Sequence, residues 1–224
     1  MAIQILTNGG SVAEGGEASR IAPLHIQNMP IKGNTYKASM FTGTIAAALA
    51  ANSELFQFRF VSGTKTFALV HSVIVDGAGI VTVSTAVGPI GWYLTPARGW
   101  TVAGSGGNRS VNTGDNMQLE TVLPNSQTSD IGIATTGALT AGTKTLDGMS
   151  MGSCITGVLT GLATTEQSGL LSVRTPLFNS MENNFMPLIF ANNEGFVIRT
   201  THAGPTALSY VVGFTVVWTE VSAF

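Results

Sequence analysis

The stretch ALSYVVGFTVVWTEV (207–221) decides the fold class: Leu208, Tyr210, Val212, Phe214, Val216 and Trp218 occupy every second position. Successive side chains of a strand point to opposite faces, so this spacing predicts one long strand with a continuous apolar face. Fifteen extended residues span about 50 Å. Gly213 interrupts the run and predicts a bulge at which the strand bends between two sheets.

Similar alternation recurs upstream. LFQFRFV (55–61) sets Phe56, Phe58 and Phe60 on one face and Gln57 and Arg59 on the other. TFALVHSVIV (66–75) aligns Phe67, Leu69, His71, Val73 and Val75 on one side. The turn pair Asp76-Gly77 follows, then IVTVSTAV (80–87), so a hairpin is expected within 66–87. Tyr36, Ala38 and Met40 alternate with Lys37 and Ser39, and a strand is expected from Trp92, Tyr93 and Leu94 to about Trp100 and Val102.

MQLETVL (117–123), SDIGIATT (129–136) and NEGFVIRT (193–200) also read as strands, and GSGGNRSVNTGDN (104–116) as a mobile polar loop. TIAAALAANSE (44–54) favours helix by composition but is too short to stand alone, so it reads as a loop or a single turn. Residues 137–194 are expected to form long loops with one or two short strands. Strands divided by turn signals, without βα alternation, point to an all-β sandwich, jelly roll or barrel.

Residues 1–34 hold few apolar anchors and many breakers, among them Gly9, Gly10, Gly15, Gly16, Pro23, Pro30 and Gly33. They read as a frayed terminus or as an extended arm that orders against a neighbouring subunit. The arm is the reading carried forward, with residues 35–224 as a single β-sandwich domain.

Charge is scarce. Only 22 of 224 residues are Lys, Arg, Asp or Glu, whereas an average chain of this length carries roughly 56. Net charge is −2 and mean hydropathy is +0.32. A neutral, partly apolar surface favours contact with other protein. No basic field exists to attract phosphate, so no nucleic-acid partner is expected. No apolar run approaches the ~20 residues of a membrane span. The N-terminal residues do not read as a secretory signal, and Cys154 is the only cysteine; folding in a reducing cytosol is expected.

Chemistry-bearing residues do not converge. His25, His71 and His202 are scattered, and Cys154 has no Cys or His nearby in sequence. His71 reads as a hydrogen-bonded core or interface imidazole, and Cys154 as a small buried hydrophobe rather than a nucleophile. The twelve Asp and Glu residues are dispersed, which does not single out a glycosidase pair. Asp115 with Asn112 and Asn116 offers oxygen ligands for calcium, but without the DxDxDG pattern a solvated loop is the expectation. Trp92, Tyr93 and Trp100 could stack on sugar rings, against a reading as core or subunit seam. No catalytic, cofactor-binding or metal-binding residue is assigned.

Three stretches together resemble virion proteins of tailed bacteriophages. They are LAANSELFQFRFVSGTKTFALVHSVIV (49–75), SDIGIATTGALTAGTKTLDGMSMG (129–152), and NEGFVIRT (193–200) with the closing WTEVSAF (218–224). The most specific string is TTGALTAGTKTLD (135–147). The resemblance implies a jelly-roll-like β-sandwich with long loops, similar to capsid cement (decoration) proteins. It further implies a non-enzymatic structural protein made in the host cytoplasm and seated on the head exterior. Its partners would be its own copies, as a homotrimer, and the major capsid protein, with no nucleic acid, membrane or cofactor. The alternative kept open is a receptor- or glycan-binding module of a tail or head fibre. The 104–116 loop and the Met149–Met151 region are expected to vary among relatives.

Overall fold

The computed structural model describes residues 3–6, 12–15, 33–82, 89–109, 130–156, 170–171, 174–184 and 186–222. Contacts divide the chain into two units, 1–31 and 32–224. In the first, β1 (Ile3–Leu6) and β2 (Val12–Gly15) form an antiparallel pair in which Ile3 faces Gly15.

The second unit is an antiparallel β-sandwich. One sheet runs β3 (Gly33–Phe41), β15 (Ser209–Val221) and β5 (Phe67–Thr82). The far side of β5 pairs in turn with β13 (Leu188–Ala191), β12 (Thr175–Asn179) and β11 (Leu170–Leu171). The other sheet runs β7 (Asn108–Arg109), β8 (Asp130–Ile133), β4 (Glu54–Phe60), β14 (Glu194–Thr200) and β6 (Ile90–Val102). Both β9 (Thr143–Leu146) and β10 (Gly152–Thr156) pair with β6.

The pairing is nested. The first strand of the sandwich, β3, pairs with the last, β15; β4 pairs with β14; β5 pairs with β12 and β13; β6 pairs with β10. Folding a long antiparallel ribbon over on itself in this way gives the jelly roll. The all-β jelly-roll-like sandwich expected from the sequence is the observed architecture.

Aromatic rings fill the space between the sheets. Phe58 lies on Phe196 at 5.2 Å with an interplanar angle of 11°, and meets Trp218 of the opposite sheet edge-on at 5.3 Å. Phe56 reaches Phe214 at 5.7 Å, and Tyr36 reaches Trp218 at 5.6 Å. Tyr36, Phe56, Phe58, Phe60, Trp92, Phe196, Tyr210, Phe214 and Trp218 are all fully buried. The alternation read in 55–61 and 207–221 therefore marks the two inner faces.

The expected hairpin at Asp76-Gly77 is not there. β5 runs unbroken for sixteen residues and pairs along its whole length with β15. Gly213 faces Gly77 while Phe214 faces Val75, so Asp76 is the extra residue of a bulge. Gly77 holds φ at +132°, which glycine tolerates. A turn pair reverses the chain only where no long partner strand holds it straight. Gly213 does mark a register shift, but β15 stays within one sheet.

A second shift between Val217 and Trp218 leaves His71 unmatched between Val70 and Ser72. The phase of β5 changes there. Val73 and Val75 face the core, whereas His71 lies outside it and meets Thr219 Oγ1 at 2.8 Å. The single apolar side read over 66–75 is thus split by the bulge.

The described residues of 137–194 include five short strands, β9 to β13, and a 3-10 turn at Ser180–Glu182, rather than one or two strands. Strands of two to five residues add pairs to sheet edges but are too short to display a period. The 44–54 segment is irregular, as expected, with Ile45 bridging Tyr210. The proposed strand 117–123 and residues 83–87 lie outside the described residues.

Truncation of Phe58 removes ring contacts to both sheets. Phe58→Ala is expected to lower unfolding free energy by about 3–5 kcal/mol, read as a fall in the denaturant midpoint at unchanged slope.

Candidate functional site

Two regions outside the core stand out. The first is a lateral edge of the sandwich where β10 and the β12–β13 connection come together. Gly152 on β10 approaches β12 so closely that an added Cβ would lie 1.7 Å from the carbonyl oxygen of Leu177. Nine large apolar side chains are exposed among the described residues. Six of them, Met149, Met151, Ile155, Met181, Met186 and Ile189, belong to this edge and its flanking turns. Along β10 and the residue that precedes it, exposed Met151, Ser153 and Ile155 alternate with partly buried Gly152 and Cys154. Exposed methionines and isoleucines along such an edge are adaptable apolar groups available for contact.

The second region lies on the outer face of the β4–β14–β6 sheet. Residues 137–147, most of the specific string, cross this face and cover it. Gly142 makes the turn possible with φ at +67°; a Cβ there would lie 2.2 Å from the oxygen of Val102. Under this cover Ala97, Trp100 and Val197 form a small second core with Leu146 against it.

Charged groups are buried beside that small core. The Lys144 side chain is 1% exposed and its Nζ donates to Glu54 Oε2 at 2.8 Å. Nζ also donates to the carbonyl of Ala141 and sits 4.3 Å from the centre of the Trp100 ring. Gln57, fully buried, donates through Nε2 to Glu54 Oε2 at 2.5 Å and to the oxygen of Thr140 at 2.8 Å. Next to it Arg59 donates to Asp130 Oδ2 at 3.0 Å and Asn193 Oδ1 at 2.9 Å. The polar face expected of Gln57 and Arg59 is therefore polar but roofed over.

This cluster escaped the sequence reading. Lys144 stands in TKTL, which alternates like any exposed edge strand, and the burial comes wholly from folding the 137–147 segment back onto the sheet. Its only trace in sequence is that a lysine sits inside the most specific string.

Among the described residues, the others singled out from the sequence do not converge. Trp92 and Trp100 are fully buried and offer no ring face to a sugar; Tyr93 is half-buried. His71 contacts Thr219 on the outer face of its sheet, and His202 Nδ1 lies 2.7 Å from Thr201 Oγ1 beside a shallow recess that includes Gly91 and Tyr210. His25, Asn112, Asp115 and Asn116 lie outside the described residues. Among the described residues, no group of three or more His, Cys, Asp and Glu side chains is placed to hold a metal ion. No helix among them is long and apolar enough to cross a membrane.

Burial, only partly offset by a hydrogen bond to the Trp92 backbone, pushes the Cys154 thiol up to about 11. It is therefore protonated at neutral pH, unsuited to nucleophilic attack. No protein-family model matches the chain, and no curated protein or solved structure proved similar to it.

Two measurements follow from these environments. Cys154 is expected to react with a thiol-directed reagent at pH 8 about 100-fold more slowly than a free cysteine, and to recover the free rate in denaturant. Burial lowers the His71 pKa below 6.5. The unfolded chain then binds more protons than the folded one, so the His71 contribution to stability is lost as pH falls through 6.5 towards the folded value. His71→Gln is expected to flatten the stability change between pH 7.5 and 5.5, checked by denaturant melts at both.

Proposed function

We propose that this protein is a non-enzymatic structural subunit of a tailed-bacteriophage virion, a cement protein that binds the outside of the capsid shell as an oligomer, a homotrimer in the simplest case. The observation that carries the reading is an apolar edge of six exposed side chains on a jelly roll that has only 22 charged residues. Charged side chains keep a protein surface wetted; where they are scarce, apolar edges are covered by protein. The resemblance of 49–75, 129–152 and 193–200 to virion proteins supplies the partner, the major capsid protein.

The mechanism is mechanical. Each copy covers neutral surface against its mates and against the shell, and permanent assemblies bury 2,000 Å² or more per interface. Repeated weak contacts around a closed lattice restrain the shell through avidity. Trp92 and Trp100 are buried, so of the three rings on which the receptor reading drew only Tyr93 is partly exposed.

Purified particles are expected to contain the protein in many copies, and heads lacking it to burst at lower temperature or milder osmotic shock. Particles without the protein, or heads indifferent to its removal, overturn the reading. For the isolated protein, Met151→Glu combined with Ile155→Glu is expected to weaken self-association by on the order of 100-fold or more, measured by sedimentation, while the denaturant midpoint stays close to that of the parent.

A further inference from the structure

The oxygen Glu54 Oε2 is shared by two nitrogens from segments far apart in the chain: Lys144 Nζ at 2.8 Å and Gln57 Nε2 at 2.5 Å. The side chains of Lys144 and Glu54 are 1% and 7% exposed, and Gln57 is fully buried. The carboxamide is held by the Thr140 oxygen at 2.8 Å, and Gly104 leaves it room, since a Cβ there would lie 2.7 Å from Gln57 Oε1. The Trp100 ring closes the site beside Nζ at 4.3 Å. An amine, a carboxamide and a carboxylate, packed together out of water, are the full set of groups needed for an amide exchange within the chain.

We propose that Lys144 and Gln57 join in an intramolecular isopeptide bond, with Glu54 as the catalytic proton carrier. Glu54 first takes a proton from the Lys144 ammonium, leaving two neutral groups in a site closed to water. The freed Nζ lone pair attacks Gln57 Cδ, a new C–N bond forms, and the carbonyl electron pair moves onto Oε1. Glu54 hands its proton to Nε2 and takes the second proton from Nζ. The oxygen pair re-forms the carbonyl, the Cδ–Nε2 bond breaks, and nitrogen leaves as ammonia, which carries off the Glu54 proton as ammonium. Amine and carboxamide go in; a secondary amide and one ammonia come out. No oxidant or other reactant is required.

Two features of the site favour such a reaction. Neighbouring groups held in one geometry react as though at very high concentration, and a dry site spares the intermediate from hydrolysis. The bond would tie residues 137–147 permanently over the outer face of the sheet. Nothing in it depends on where the protein resides, so its failure and that of the virion reading are separate outcomes.

Intact-mass spectrometry of the full chain, folded, incubated and then denatured, decides the matter. The expected mass is below the sequence mass by one ammonia, with Gln57 and Lys144 in a single branched peptide after proteolysis. Lys144→Arg is expected to abolish the link. Glu54→Asp, which keeps a carboxylate but draws it back, is expected to slow its formation at least about tenfold. A folded parent that keeps its full sequence mass after prolonged incubation overturns the proposal. So does loss of water in place of ammonia, which would place the bond on Glu54. Unchanged formation in Glu54→Asp overturns the role of Glu54.

Discussion

Phe58, stacked on Phe196 within one sheet and set edge-on against Trp218 of the other, is the contact on which the sandwich rests. Two twisted sheets pack face to face only if their inner faces present apolar groups at the same height. Phe56 with Phe214 and Tyr36 with Trp218 continue the layer across β3, β4, β14 and β15. Those four strands are the outermost two of the nested pairs, so the same rings that fill the core also hold the two ends of the chain's sandwich together.

Keeping the rings aligned imposes a cost on the longest pair. β5 and β15 drift out of phase, and three register shifts bring the apolar faces back inward. Each shift sends a side chain elsewhere. Asp76 is turned out to meet Thr215 and to lie 3.5 Å from Arg174, and His71 is turned out to Thr219. The polar contacts on the outside of this sheet are thus by-products of core alignment, which accounts for their failure to converge on any reactive centre.

The outer face of the opposite sheet follows a different logic. There the chain roofs over its own surface with residues 137–147 and buries Lys144 and Glu54 as a pair. Removing one member of a buried ion pair commonly costs 3–5 kcal/mol, yet a well-packed apolar pair of similar volume is often no less stable. Stability alone therefore does not explain why an amine, a carboxylate and a carboxamide occupy this place. In a protein with so few charges, this pair, like Glu220, is kept inside rather than on the wetted surface.

Much of the fold was legible. Long strands carry their own signal, because side chains alternate between a buried and an exposed face: Phe56, Phe58 and Phe60, and Leu208 to Trp218, named the inner faces of both sheets outright. The phase of β5 beyond His71, the straight passage through Asp76-Gly77 and the short edge strands of 137–194 were not legible, since each depends on a partner strand distant in sequence. The buried cluster was the least visible of all. Whether Lys144 meets water or Glu54 is decided by a segment folding back across the sheet, and local sequence has no term for what lies above a strand. Sequence by itself determined that the chain is all-β, sparsely charged and amphipathic at period two; only tertiary structure decided the bulges, the roofed face and the exposed apolar edge, because burial is a property of neighbours brought together in space.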